Sequence, residues 1–151
     1  MIEISSSAVI QRPVDSVFSY VTDVRNDPTW HTDILEVRPA SEAAVGLGSR
    51  YEVTFKPFLG QSQGSITVTD YVPYRRAQLQ GSMGPMKPQI SYSFEPAEGG
   101  TRFTRRVQLE PSGLMRLLSP LMRGMMSKRN AEFLRNLKGV LEAQAPEQPA
   151  P

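Results

Sequence analysis

The segment QISYSFEPAEGGTRFTRRVQLEPSGLMRLLSPLMRGMMSKRNAEFLRNLKGVLEA, residues 89–143, changes its hydrophobic period once, and that change decides the fold. In its first part Ile90, Tyr92 and Phe94 alternate with polar residues; after Glu98-Gly99-Gly100, Phe103, Val107 and Leu109 do the same. Period two marks a half-buried strand, and a short glycine-containing link between two such runs reads as a hairpin. Beyond Pro111-Ser112-Gly113 the apolar spacing becomes three and four: Leu121, Met122, Met125, Met126, Phe133, Leu137, Val140 and Leu141, with Arg123, Arg135 and Lys138 facing away. That spacing predicts one long amphipathic helix. Ser119 suits its N-cap and Pro120 its first position, which leaves Leu114 to Leu118 as a preceding short turn or helix.

Upstream, strands follow one another. Tyr51, Val53 and Phe55 alternate, as do Ile66 and Val68, and then Ala77 and Leu79. Turn residues at Phe58-Leu59-Gly60, Val72-Pro73-Tyr74 and Gly84-Pro85 separate them. Short links imply an antiparallel meander, and clean alternation implies one buried face and one wet face. Ile2, Ile4, Ala8 and Ile10 carry the same pattern at the start of the chain. Val14, Val17, Phe18 and Val21 then spell a short helix to about Thr22, with Pro13 at its first position and Asp15 in its first turn. Asn26-Asp27-Pro28 is expected to break that helix, and Thr29-Trp30-His31 to add one more turn. The expected architecture is α+β: a curved antiparallel sheet of six to seven strands around a long C-terminal helix, with two short helices after the first strand. Residues 1–143 would form one domain. Residues 144–151 carry no apolar payload to offset ordering entropy and are expected to be disordered.

Composition narrows the chemistry. The chain has 151 residues and no cysteine, so a disulfide framework, a zinc–thiolate site and a thiol nucleophile are excluded. His31 is the only histidine, which excludes multi-histidine metal sites; neither a metal nor a cofactor is expected. Met1-Ile2-Glu3-Ile4 lacks the features of a secretory signal, and no apolar run reaches the roughly 18 residues of a membrane span, so a cytoplasmic location is expected. The net charge of +2 is unevenly spread: residues 1–100 hold 8 basic and 11 acidic side chains, residues 101–143 hold 9 and 3. A basic C-terminal third suits an anionic ligand or surface, or is simply a solvated helix face.

Several stretches, taken in order, point to a family. They are Pro13-Val14-Asp15-Ser16-Val17-Phe18-Ser19-Tyr20-Val21 with Asp23, Trp30 some ten residues on, Val45-Gly46-Leu47-Gly48-Ser49-Arg50 before a strand, and Gly99-Gly100-Thr101-Arg102 before the last strand. Over about residues 2–143 the chain resembles the START-like superfamily, also called SRPBCC or helix-grip, and specifically its polyketide cyclase/dehydrase branch. The resemblance implies a fold that holds lipids, polyketides, hormones or other hydrophobic molecules, with catalysis in some members. It supplies no family-wide catalytic motif, so it assigns no catalytic residue.

The candidate site residues come from side-chain direction. Gly46-Leu47-Gly48 precedes a strand pattern rather than a helix, so it reads as a turn and not as a nucleotide loop. Arg105 shares the parity of Phe103, Val107 and Leu109 and should therefore face the apolar side of the sheet. There it is an anchor for an acidic ligand group, or pairs with an internal carboxylate such as Asp70, or is turned outward by a bulge. Arg129 falls in the apolar arc of the long helix, with Asn136 seven residues on, and either approaches the same cavity or snorkels to water. Met115, Met122, Met125 and Met126 give an adaptable surface, or fill gaps. Tyr51, Val53, Phe55, Leu79, Tyr92, Phe94, Phe103 and Phe133 complete the expected lining, with Gln89 as a further polar contact. Trp30 is either a cavity wall or an anchor for the small helices, and His31 is the one candidate general base.

Three function classes follow. The first is binding of a small hydrophobic or amphipathic molecule between sheet and helix. The second is an enzyme of the cyclase, aromatase or dehydratase type, which requires His31, Arg105 and a cavity tyrosine to converge. The third is an interaction module using the basic helix on anionic lipid or another macromolecule; a membrane-touching lipid carrier combines it with the first. Nucleic acid is not an expected partner, because interleaved exposed aromatics and a helix-turn-helix order are missing. Ligand identity and oligomeric state are left open.

Overall fold

The computed structural model describes residues 1–40, 44–58 and 60–144. The strands are β1 (Ile2–Ile10), β2 (Ile34–Pro39), β3 (Arg50–Phe58), β4 (Gln61–Val72), β5 (Arg76–Ser82), β6 (Gln89–Ala97) and β7 (Gly100–Leu109). They form one curved antiparallel sheet in the order β1-β7-β6-β5-β4-β3-β2. From β2 to β7 every neighbour is the next strand in sequence, as short links demand. Only β1 pairs out of order, with β7, from Ile2 opposite Leu109 to Ile10 opposite Thr101. The crossover from β1 to β2 carries α1 (Val14–Thr22) and a 3₁₀ helix (Val24–Thr29). After β7 come α2 (Leu114–Leu117) and α3 (Ser119–Ala143). No described helix is long and apolar enough to cross a membrane. The expected tail, apart from Gln144, lies outside the described residues.

Curvature has a local cause. Register shifts fall at Ile34/Glu36 in β2, Thr54/Phe58 in β3 and Val68/Asp70 in β4. Irregularities of this kind bend a strand and raise its twist. No shift interrupts β6–β7 or β1–β7, so the parity of β7 holds along its length. At Gly64, in β4, an added Cβ would lie 2.4 Å from the backbone oxygen of Ser82, so the close approach of β4 and β5 needs glycine there.

Four local expectations need correction. Pro13 is the N-cap of α1, in extended conformation (φ −60°, ψ 152°), rather than its first residue. Asn26-Asp27-Pro28 does not break the chain into coil; the 3₁₀ helix runs through Pro28, and Trp30 ends it. Two side chains brace this segment: Asn26 Nδ2 donates to Tyr20 O at 3.0 Å, and Thr29 Oγ1 to Asn26 O at 2.6 Å. Ser119 is the first helical residue, not a cap; its hydroxyl donates to Met115 O at 3.3 Å, so α2 runs almost directly into α3. Leu121 is 73% exposed and off the buried face of α3, which consists of Met122, Asn130, Phe133, Leu134, Leu137 and Leu141.

The C-terminal half of α3 is tied to the end of β1. Arg12 donates to Leu141 O at 3.1 Å and Gln144 O at 3.4 Å, supplying a cation where the helix dipole is negative. Lys138 donates to Val9 O at 2.6 Å, and Glu142 accepts from Gln11 N at 2.8 Å. Leu134, Leu137 and Leu141 are buried against the sheet beneath these bonds. The N-terminal half and the α2 segment before it are different: Leu114, Leu117, Leu118, Leu121 and Met125 are all exposed.

Candidate functional site

Between the N-terminal half of α3 and the bent middle of the sheet lies a cavity of about 400 Å³. All seven strands contribute to its walls, among them Val53 and Phe55 on β3, Ile66 on β4, Leu79 on β5, Ile90 and Tyr92 on β6, and Arg105 and Val107 on β7. Period-two alternation aims these side chains at one face. Met122, Met126 and Phe133 close it from α3, and Met83 and Met86 from the β5–β6 link. The exposed lining residues Lys56, Pro57 and Met125 mark the mouth, where the irregular stretch of β3 faces α3.

One wall is polar. Arg105 is only 5% exposed and stands opposite Tyr92 in the β6–β7 register. It donates to Asn130 Oδ1 at 2.5 Å, and Asn130 Nδ2 donates back to Arg105 O at 3.1 Å. No carboxylate forms an ion pair with it among the described residues; Asp70, the partner expected of it, pairs with Arg76 at 2.7 Å. Asp27 is 2% exposed and also lines the cavity, presented by the 3₁₀ helix. Burial pushes its carboxyl well above the usual carboxylate range, against the pull of Arg105. His31 stacks on Phe133 with ring centroids 4.0 Å apart, and the Arg105 guanidinium lies 5.7 Å from the same ring. Burial, then the positive charge of Arg105, holds the imidazole well below its ordinary pKa. Tyr92 is held in its neutral form by burial.

Asp27 Oδ1, Trp30 Nε1, His31 Nδ1 and Arg105 Nε are buried without a hydrogen-bond partner among the described residues. Three of these four belong to residues that line the cavity. An unsatisfied buried polar group costs about 1–3 kcal/mol, so a cluster of them in one wall needs a reason.

Of the expected lining, His31, Val53, Phe55, Leu79, Tyr92 and Arg105 border the cavity, as do Met122, Met125, Met126, Arg129 and Phe133. Trp30, Tyr51, Phe94 and Phe103 do not. Phe94 packs edge-on to Phe18 at 5.0 Å and meets Phe103 at 5.2 Å, while Trp30 meets Phe103 at 6.3 Å. These rings fill one end of the space under the sheet and so bound the cavity without lining it. Gln89 does not line it either. Arg129 reaches the rim, where Asp33 and Glu132 both accept from it, Glu132 at 2.9 Å, instead of being free to snorkel. Asn136 donates to Trp30 O at 3.2 Å and ties α3 to the 3₁₀ segment. Asp27 and Asn130 were not among the expected site residues. Asn130 was accessible from the sequence, since it shares the helical face of Phe133, Leu134 and Leu137.

Among the described residues, no cluster of His, Cys, Asp or Glu could hold a metal ion. No curated protein matches the chain. Solved structures do. TTHA0849 from Thermus thermophilus superposes with a TM-score of 0.78 at 16% identity, covering 95% of this chain and 99% of that one. Ara h 8.0201 gives 0.68 at 16% identity, with 92% and 96% covered. DynU16, from the dynemicin biosynthetic locus, gives 0.69 at 19% identity over 97% of this chain and 49% of that one. At these identities the likeness is one of fold, the helix-grip arrangement described above. The model of the family described as polyketide cyclase / dehydrase and lipid transport matches residues 1–142, and the chain is a member of that family.

Proposed function

We propose that the chain is a cytoplasmic binding domain for a small hydrophobic or amphipathic molecule held between sheet and α3. The observation that carries this reading is the cavity of about 400 Å³ walled mainly by apolar side chains with one polar end. Small-molecule sites commonly have roughly 300–1,000 Å³ and a few placed polar groups. Four methionines in the walls and roof, Met83, Met86, Met122 and Met126, supply an adaptable surface. Native mass spectrometry of the purified protein, followed by denaturing extraction, tests it. A defined apolar adduct is expected; an empty protein that also refuses fatty acids, steroids and aromatic polyketides would refute it.

An anionic membrane is the source or destination of that molecule in a second reading. Leu117, Leu118 and Leu121 are exposed and run on to Met125 at the cavity mouth. Arg116, Arg123 and Lys128 flank them, and no acidic residue occurs from 111 to 131. Apolar side chains inserted among basic ones suit an anionic lipid interface. The protein should sediment with phosphatidylglycerol vesicles and not with phosphatidylcholine vesicles. L117D/L121D should abolish sedimentation while leaving the melting temperature within about 2 °C of wild type, since exposed sites contribute little stability.

An enzymatic reading has support of its own: His31, Tyr92 and Arg105 line one cavity, as proton transfer beside a polarised carbonyl would require. Neutral His31 has a lone pair for a proton, and Arg105 can stabilise an enolate. Conversion of a linear poly-β-ketone, abolished by H31F, is the test; unchanged turnover in H31F would remove the reading.

A further inference from the structure

We propose, resting on the container reading above, that the ligand is an apolar molecule ending in a carboxylate, and that this carboxylate seats on Arg105. Among the described residues, no carboxylate forms an ion pair with Arg105 in the cavity wall. Arg105 is nearly fully buried, donates to the neutral amide of Asn130, and keeps Nε unpaired among the described residues. A buried cation is ordinarily matched by a counter-charge, because desolvation costs it several kcal/mol otherwise.

The nearby carboxyls do not supply it. Asp33 and Glu132 are engaged by Arg129 at the rim. Asp27 is the remaining acid in the lining, makes no ion pair with Arg105 among the described residues, and has its pKa pushed well above the usual carboxylate range by burial. A protonated Asp27 is then a donor rather than an acceptor. With Tyr92 opposite Arg105, the wall presents a guanidinium, a phenol and a carboxylic acid to whatever enters. All three can donate to an oxyanion, and hydrogen bonds to a charged oxygen are the stronger kind. One cation matches a monoanion, whereas a phosphate dianion would leave a net negative charge in an apolar chamber. A planar carboxylate also fits the fork of a guanidinium. The rest of the cavity, from Leu79 to Met122, takes the apolar body.

The test uses two acid–ester pairs, dodecanoate with methyl dodecanoate and 1-naphthaleneacetate with its methyl ester, titrated calorimetrically into the full chain at pH 7. At least one acid is expected to bind ten times or more tighter than its ester. R105M, checked for folding by circular dichroism, should bring acid and ester of that pair within about twofold. If R105M does not fold, the wild-type comparison alone decides. Ester binding equal to acid binding would overturn the carboxylate seat and leave the container standing. Binding of neither member of either pair would count against both. A tenfold gain in acid affinity in D27N would show Asp27 ionised beside the seat in wild type and would still support Arg105 as the seat of the ligand carboxylate.

Discussion

The pairing of Arg105 with Asn130 should add little net stability to the empty protein, and a mutational cycle can measure it. In wild type Asn130 accepts from the Arg105 guanidinium at 2.5 Å and donates to the Arg105 backbone oxygen at 3.1 Å, and the guanidinium faces the Phe133 ring at 5.7 Å. The bonds contribute together about 1–3 kcal/mol net, and the ring contact about 0.5–2 kcal/mol. Against this stands burial of a cation with no ionised partner, at several kcal/mol. Arg105→Met alone removes the charge but strands Asn130 Oδ1, at about 1–3 kcal/mol, so its stability should lie close to wild type. Asn130→Leu alone strands the guanidinium and should cost about 3–5 kcal/mol. The double variant R105M/N130L removes the buried charge and its acceptor but takes the Asn130 donor from the residue-105 backbone oxygen, at about 1–3 kcal/mol, so it should lie within about 2 kcal/mol of wild type, each kcal/mol moving the melting temperature by roughly 2–4 °C for a chain of this size. Urea unfolding and thermal melts of the four proteins give the numbers, and the coupling energy follows from the cycle. A double variant less stable than wild type by more than about 3 kcal/mol would refute the reasoning, because Arg105 would then stabilise the fold through contacts other than a tolerated buried charge.

Four further predictions use other parts of the molecule. The folded-state pKa of Asp27 is raised, so its contribution is intact below about pH 4 and is lost as pH rises; D27N should gain on wild type progressively above that pH in melts from pH 4 to 9. His31 has the opposite sign: its folded pKa is lowered, so stability is full above about 6.5 and falls as pH drops through that value, and H31Q should remove this acid-side loss. Arg12→Ala removes two bonds to the last carbonyls of α3 and should cost about 1–3 kcal/mol, with faster hydrogen exchange confined to the end of that helix. Gly64→Ala puts a Cβ 2.4 Å from a backbone oxygen of β5 and should cost about 1–3 kcal/mol by forcing β4 and β5 apart.

The sheet and the long helix were legible because both rest on periodicity, which burial of one face imposes directly on sequence. Arg105 was placed on the inner face by parity, and the placement holds because no bulge interrupts β7. Parity gives the face and not the depth, however. Tyr92 and Phe94 share a face of β6, yet one borders the cavity and the other packs into the aromatic end against Phe18. Asp27 was invisible for another reason: its burial arises where a 3₁₀ helix meets the sheet, a tertiary contact with no periodic trace. On α3 the apolar spacing was read too widely, taking in Leu121, which projects outward, and omitting Leu134, which is buried. Hydrophobicity marks what is able to be buried; where the sheet ends beneath the helix decides what is.

The unequal anchoring of α3 makes it a lever. Its fulcrum lies near Leu141, where Arg12, Lys138 and Glu142 bind it to the tip of β1. Its 25 residues span about 37 Å at 1.5 Å per residue. A swing of about 5° at the fulcrum therefore carries the far end through roughly 3 Å, close to the width of a methylene chain. The side chains that such a swing unseats are Met122, Met125 and Met126, flexible groups that re-pack at small cost, while Leu134, Leu137 and Leu141 stay where they are. A guest admitted by such a rotation would leave the paired strands untouched once the Arg129–Asp33 pair and the Asn130–Arg105 bonds give way.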